Sequence, residues 1–232
     1  MNILGQNRLL ALLPALERER LLARGEEVHI ERPTVLYEAD TEIRDVYFPL
    51  SGMLSLVISS EEGQTVEIGT VGNEGMLGTQ IVLGADRTQV QVVVQVTGDF
   101  VRLGRRVLEE ELKGSATLRA VTARFAQALT NQIAQSVLCN RIHSVEERLC
   151  RWFLLTHDRV GRNEILLTQQ FVAQMLGVRR PTVTVAAGML QKAGLITYSR
   201  GKLTVLDRAG LEAGACECYE IVRQETARLL TT

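Results

Sequence analysis

Five cations and no carboxylate mark the stretch of this 232-residue chain best suited to chemistry, Leu167 to Leu206. Arg179, Arg180, Lys192, Arg200 and Lys202 stand there without one Asp or Glu beside them. Guanidinium and ammonium groups gathered this way suit phosphate oxygens, and an Arg can also fork onto the O6 and N7 of a guanine. The whole chain carries a net charge of −1, so the positive character is local. A local basic face fits recognition of a particular polyanionic site better than bulk coating of one.

The elements that must position these cations are legible. Thr168 stands where a hydroxyl can cap a helix by accepting a bond from an orphan backbone N–H. Phe171, Val172, Met175 and Leu176 recur at helical spacing, and Gly177 tolerates the positive φ of a helix end. Arg179 and Arg180 precede Pro181, favoured at a first helical position because its missing N–H would be unpaired there anyway. A second helix carries Thr182, Val183, Thr184, Val185 and Met189 to Lys192, and Gly194 ends it. Leu195–Tyr198 and Lys202–Leu206 then pair across Ser199-Arg200-Gly201. Helix, tight turn, helix and basic-tipped hairpin is the layout of a winged helix-turn-helix, whose partner is double-stranded DNA. The candidate DNA contacts are Thr168, Gln169 and Gln170 on the first helix, Arg179, Arg180, Thr182, Val183 and Thr184 around the second, and Arg200 and Lys202 on the wing. The alternative is an ordinary helical hairpin with a solvated basic face. The missing acids, the glycine turn and the basic wing together weigh against it.

Upstream, residues 6–24 pattern as short helices broken at Pro14. From Val28 the period changes to two: Val28–Ile30, Val35–Tyr37, Val46–Phe48 and Leu54–Ile58 are short runs separated by turn residues. Glu61–Gln64 joins Ile58 to Thr65–Ile68, Val90–Val96 alternates only partly, and Phe100–Leu103 closes the set. Many short strands at even spacing predict an antiparallel roll or barrel. From Ser115 to Cys139 the period is helical again, with Leu118, Val121, Phe125, Ala128 and Gln132 on a narrow stripe expected to form a dimer seam, the alternative being a helix packed only on its own roll. Ser144-Val145-Glu146-Glu147 is a capping box for the next helix, and Asp207 can cap a last helix running to about Leu230. The expected fold class is α+β: an effector-sensing roll with N-terminal helices over 1–114, a long dimerisation helix and hinge over 115–143, and a winged helix-turn-helix with a C-terminal helix over 144–232.

Cys139, Cys150, Cys216 and Cys218 are scattered, with Cys216 and Cys218 two apart on an expected helix and so pointing apart. They are read as reduced thiols of a cytosolic protein, with no metal. Cys139 and His143 lie four apart and could share a helix face, but at an expected turn they do not define a site. The N-terminal MNILGQNRLLALLPALERERLL, with its interrupted apolar run and interspersed charges, is read as neither signal peptide nor membrane span.

A β-roll, then a long helix, then a winged helix-turn-helix, in this order and at this length, resembles the Crp/Fnr family of bacterial transcription regulators. The resemblance spans about Leu9 to Leu206, is strongest over Leu167–Leu206, and includes CNRIHSVEERLCRWFLL at 139–155. It implies a cytoplasmic homodimer that senses an effector in its rolls, reorients two recognition helices on DNA and works with RNA polymerase, as activator or repressor. Arg180, Thr182 and Val183 match the Arg and Thr-Val that open the recognition helix of cyclic-AMP-binding members. Pro181 stands where those members have Glu and Val185 where they have a further Arg, which implies a different operator. Arg200 and Lys202 match the wing's phosphate-contact positions.

The resemblance also aligns an effector pocket, Gly78-Thr79 and Arg87-Thr88-Gln89, with a phosphate cassette that reads Gly-Glu and later Arg-Ser-Ala. Arg87 survives and Thr88 can replace Ser, but Thr79 replaces the ribose-binding Glu and Gln89 the Ala; Glu74 is out of register. Ile133 and Ala134 fall about where cyclic-AMP binders carry hydroxyls for adenine. Cyclic nucleotide is therefore not expected as effector, and no cofactor is assigned; a cyclic-nucleotide-responsive regulator, or a signalling subunit that never touches DNA, are the alternatives. No Cys precedes Cys139, which excludes the family's N-terminal iron–sulfur type, and His29 is read as structural rather than a haem ligand. An enzyme is not expected: His29, His143 and His157 lie in different elements and form no facial metal set, and there is no P-loop or dinucleotide glycine motif.

Overall fold

In the computed structural model, which describes residues 7–231, the chain opens with α1 (Arg8–Ala11) and α2 (Ala15–Ala23). Asn7 caps α1 by accepting from the Leu10 N–H, and Pro14 starts α2, so the helical stretch breaks where its proline predicts. Gln6, the first residue of that expected stretch, lies outside the described residues. The strands follow as β1 (Glu26–Ile30), β2 (Val35–Tyr37), β3 (Thr41–Glu42), β4 (Asp45–Pro49), β5 (Met53–Ser59) and β6 (Thr65–Val71). After α3 (Thr79–Val82) come β7 (Arg87–Thr88), β8 (Gln91–Val96) and β9 (Gly98–Gly104). They form two antiparallel sheets, β1-β9-β4 and β2-β8-β5-β6, and a β3-β7 ribbon.

Leu54, Leu56, Val94, Phe48 and Phe100 form the roll's core with Leu9 and Leu10 of α1. Met53 and Val57 of β5 and Val96 of β8 turn the other way, into a second core built by the C-terminal elements. The sheet is thus covered on both faces, and Met53 to Val57 are all buried. A strand buried on both faces has no reason to alternate apolar with polar residues, which explains the partial alternation of Val90–Val96.

The helix α4 (Arg105–Gly114), not anticipated from the sequence, precedes α5 (Ala116–Ile142). Ser115 accepts from the Leu118 N–H at 2.9 Å and starts α5. Ser144 and Glu147 complete the expected capping box of α6 (Val145–Val160). Then come β10 (Glu164–Leu166), α7 (Gln169–Leu176), α8 (Arg180–Lys192), β11 (Ile196–Ser199), β12 (Lys202–Val205), α9 (Arg208–Gly214) and α10 (Cys218–Leu230). Among the described residues no helix is long and apolar enough to cross a membrane.

Two expectations need correction. The stripe Leu118, Val121, Phe125, Ala128 and Gln132 is buried within the chain itself. Phe125 lies so close to Gly75 that a Cβ there would overlap its ring, and Gln132 donates to the Thr70 carbonyl at 3.0 Å. The helical period holds, but the apolar face is satisfied within the chain, by the roll at Leu118, Val121 and Phe125 and by α10 alongside Ala128. A different face of α5 points outward: Ala116, Ala120, Ala123, Gln127, Thr130, Ala134, Val137 and Arg141, spaced alternately four and three apart. The last helix is also not continuous. Asp207 caps α9 by accepting from the Gly210 N–H at 3.0 Å, but Ala215 is extended and α10 starts anew at Cys218.

Candidate nucleic-acid interface

The helix-turn-helix is assembled as its local signals require. Thr168 accepts from the Phe171 N–H at 3.2 Å, and Gly177 takes φ 63° to end α7. The turn is anchored from beneath, where the buried Arg148 of α6 donates to the Leu176 carbonyl. Arg180 is the first residue of α8 and Pro181 the second, so the Pro costs the helix no bond. Val183, Ala186, Ala187 and Leu190 form its buried face. Thr182, Thr184, Val185 and Met189 face outward, with Arg179 and Arg180 at the N-terminal end. That end also carries the positive pole of the helix dipole, so it presents anion-binding potential twice over.

Val183 is fully buried, which removes it from the DNA contacts: it packs α8 onto the domain core. Thr184 donates to the Gln169 Oε1 at 2.7 Å and so ties the outer face of α8 to α7. Thr168 and Gln170 are exposed beside them. Met189, 52% exposed and four residues beyond Val185, is an outward apolar group that sequence reasoning did not assign; with Val185 it can meet thymine methyls.

The wing is a three-stranded sheet, β10-β12-β11, with Arg200 at the hairpin tip in the left-handed region at φ 51°. The buried Tyr198 donates to the Leu167 carbonyl at 3.0 Å, and burial holds its phenol above the ordinary value. Among the described residues Arg179, Arg180, Lys192 and Arg200 have no carboxylate partner, whereas Lys202 Nζ lies 2.6 Å from Glu164 Oε2. Glu164 precedes the acid-free stretch by three residues, and the pairing of Leu166 with Lys202 brings it alongside. The phosphate contact expected of Lys202 is therefore in competition with an ion pair, though an exposed pair of this kind is worth little, typically about 0–1 kcal/mol.

The recognition unit is docked on the chain's own roll. Glu74 and Arg159 form a buried ion pair at 2.8 Å, and Trp152 Nε1 donates to Glu67 at 2.8 Å. Arg32 donates to the Leu166 carbonyl at 2.6 Å and covers the Phe171 ring.

The aligned effector positions are otherwise engaged. Arg87 is exposed and donates to the Asp40 carbonyl at 2.5 Å and to its carboxylate at 3.3 Å; Gln89 reaches the same carboxylate at 3.2 Å. Thr88 is buried and hydrogen-bonded to the Val90 backbone. Gly78 adopts φ 100°, and a Cβ there would overlap Val46; Thr79 begins α3 and is buried. Arg87, aligned with a phosphate-holding position, is thus paired with Asp40, but the pair is exposed and of the weak kind that an anion can displace. Where an adenine would lie against α5, Ile133 packs on Gly69, and Ala134 is exposed.

The expectation of scattered thiols also fails. Cys139, Cys216 and Cys218 converge with His143, their ligand atoms all within 4.8 Å of one another. The break between α9 and α10 turns Cys216 and Cys218 to one side, which a continuous helix would forbid. The four-residue spacing of Cys139 and His143 was the visible half of the signal.

Residues 147–213 match the family described as Crp-like helix-turn-helix domain, and residues 27–115 the cyclic nucleotide-binding domain. The chain is 26% identical over 187 residues to the transcriptional regulator SdrP of Thermus thermophilus, covering 77% of this chain and 88% of that protein. Its fold is similar to that of a Crp/Fnr-family transcriptional regulator from Eubacterium rectale (20% identity, TM-score 0.67, 87% and 94% of the two chains). It is also similar to that of FixK2 from Bradyrhizobium japonicum (13% identity, TM-score 0.71, 83% and 98%).

Proposed function

This chain belongs to the Crp/Fnr family of DNA-binding transcription regulators, and we propose that it acts as a homodimer whose two α8 helices read a palindromic operator. The observation that carries this reading is the N-terminal end of α8: Arg179 and Arg180 stand exposed at the positive pole of the helix without a carboxylate partner, beside Thr182, Thr184 and Val185. Arg180 forks onto a guanine, Arg179 and Arg200 hold phosphates, and Val185 and Met189 meet thymine methyls.

The two copies meet along the outward face of α5, from Ala116 to Arg141, whose small side chains allow a close helix pair. Residues 1–114 act as the sensor, 115–143 as dimer helix and hinge, and 144–232 as the DNA-binding unit. The signal is not a cyclic nucleotide held in the usual way, because Thr79 cannot replace a ribose-binding carboxylate. The protein works in the cytoplasm with RNA polymerase and has no catalytic role.

Selection from random double-stranded DNA tests the reading. The expected consensus is a palindrome with half-site centres about one helical turn, ~34 Å, apart. A non-palindromic consensus, or no enrichment, overturns it. Calorimetry with cyclic AMP tests the sensor assignment, and sub-micromolar binding overturns that part.

A further inference from the structure

Three thiols and an imidazole meet where the long helix ends. Cys139 and His143 stand one turn apart, the first near the last turn of α5 and the second its C-cap. Cys216 and Cys218 come from the break between α9 and α10. Cys139 Sγ lies 3.5 Å from Cys216 Sγ, and Cys218 Sγ lies 3.5 Å from His143 Nδ1. All three cysteines are buried.

We propose that Cys139, His143, Cys216 and Cys218 form a mononuclear tetrahedral site for a thiophilic divalent cation, zinc by class. A tetrahedron with zinc–sulfur bonds of about 2.3 Å and a zinc–nitrogen bond of about 2.0 Å has edges of roughly 3.8 Å between sulfurs and roughly 3.5 Å between sulfur and nitrogen. The 3.5 Å from Cys218 Sγ to His143 Nδ1 equals the sulfur–nitrogen edge, the 3.5 Å from Cys139 Sγ to Cys216 Sγ lies a few tenths of an ångström inside the sulfur–sulfur edge, and all the ligand atoms lie within 4.8 Å, close enough for small shifts to close the tetrahedron. The sulfur–sulfur separation is far from the ~2.05 Å of a disulfide. A multinuclear iron–sulfur cluster would hold its ligating atoms further apart than the 4.8 Å that spans this group.

The surroundings fit a metal and not merely a packed thiol cluster. His143 presents Nδ1 to Cys218, and its other nitrogen, Nε2, lies 3.2 Å from Glu217 Oε2. A carboxylate on the far nitrogen is the arrangement that fixes the tautomer and orientation of a metal-bound imidazole. Gln135 Nε2 donates to Cys218 Sγ at 3.1 Å, as donors to metal-bound thiolates do. Three thiolates and one divalent cation leave one net negative charge in a buried place. Arg148 and Arg151, both buried on α6, lie within electrostatic reach of Cys139.

With four protein ligands the site has no open position for water or substrate, so its role is structural. It clamps the start of α10 to the end of α5, at the point where α5 gives way to α6 and the DNA-binding unit. This inference does not depend on how α8 reads DNA.

The test uses the 232-residue chain purified under reducing conditions without chelator. Elemental analysis should find about one zinc per chain. Protein stripped with chelator should take up one Co²⁺ per chain, with thiolate-to-cobalt charge-transfer bands and the intense visible bands of tetrahedral cobalt. Cys216→Ser and His143→Ala should lose zinc and change the cobalt spectrum, while Cys150→Ser should retain both. Glu217→Gln should keep the stoichiometry but weaken affinity about 10–100-fold against a competing chelator. Wild-type protein that carries no metal and gives no tetrahedral cobalt spectrum overturns the proposal, and this readout needs no variant to fold. A Cys139–Cys216 disulfide in that preparation overturns it too, as does equal metal loss in Cys150→Ser.

Discussion

Glu67 of the roll accepts the indole N–H of Trp152 at 2.8 Å, so one carboxylate links β6 to the helix that leads into the recognition unit. Ser55 donates to the same carboxylate at 2.6 Å. Burial dominates its environment and raises its pKa from the ordinary 4.5 to about 7, although the Ser55 and Trp152 bonds and the charges of Arg151 and Arg159 pull the other way. Between about pH 4.5 and pH 7 the folded chain therefore holds a proton that the unfolded chain has released. The stabilisation is complete below about pH 4.5 and is lost as pH rises through about 7. Thermal unfolding of wild type and Glu67→Gln across pH 5 to 8 measures it: the wild type should lose stability relative to the variant as pH rises. Parallel curves would show that Glu67 does not titrate in this window.

The pair Glu74–Arg159 is the other link, and it is buried on both sides. Arg159 also donates to the Leu155 carbonyl at 3.0 Å. Removing one partner leaves an uncompensated buried charge, so Arg159→Leu should cost about 3–5 kcal/mol in denaturant unfolding. The double variant Glu74→Leu/Arg159→Leu should recover much of that loss. A single variant within about 0.5 kcal/mol of wild type, the usual range for surface substitutions, would show that the link is not buried in solution.

The outward face of α5 is the proposed dimer surface. Ala123→Glu places a charge there, and sedimentation should show folded monomers. Phe125→Glu should instead unfold the roll, because Phe125 is seated against Gly75. A folded, monomeric Phe125→Glu protein would restore the inward stripe as the seam, and a dimeric Ala123→Glu protein would show that the outward face of α5 is not the dimer surface.

These outcomes follow the line between what was legible in the chain and what was not. The helix-turn-helix was legible because its signals are local: Thr168 caps, Gly177 takes positive φ, and Pro181 sits in a first turn. The orientation of α5 was not. Both of its faces repeat at three and four, and alanines mark a face too weakly to outrank Leu118 and Phe125 until the roll is in place. Val183 lies between two threonines that point outward, and only the helix phase separates them. Glu164 reaches Lys202 through strand pairing, and Cys216 reaches Cys139 across 77 positions, through a helix break that no Pro imposes.

The same pairing makes the wing tunable. Glu164→Gln frees Lys202 and removes a negative charge facing the phosphates. It should tighten binding to all DNA sequences about equally and steepen the salt dependence by up to about one unit per wing. Lys202→Ala should weaken all sequences alike. Salt titrations check both; a change in base preference from either variant would mean that the wing reads bases.

Arg180, at the exposed start of α8, is proposed to read a base while the wing holds backbone. The most direct test is parallel selection from random DNA with wild type and Arg180→Ala, followed by titration on the wild-type site. Arg180→Ala should lose about 1–3 kcal/mol on that site and relax preference at one base pair in each half-site, the other positions keeping theirs. An Arg180→Ala protein whose preference is unchanged at every position would contradict base reading by Arg180.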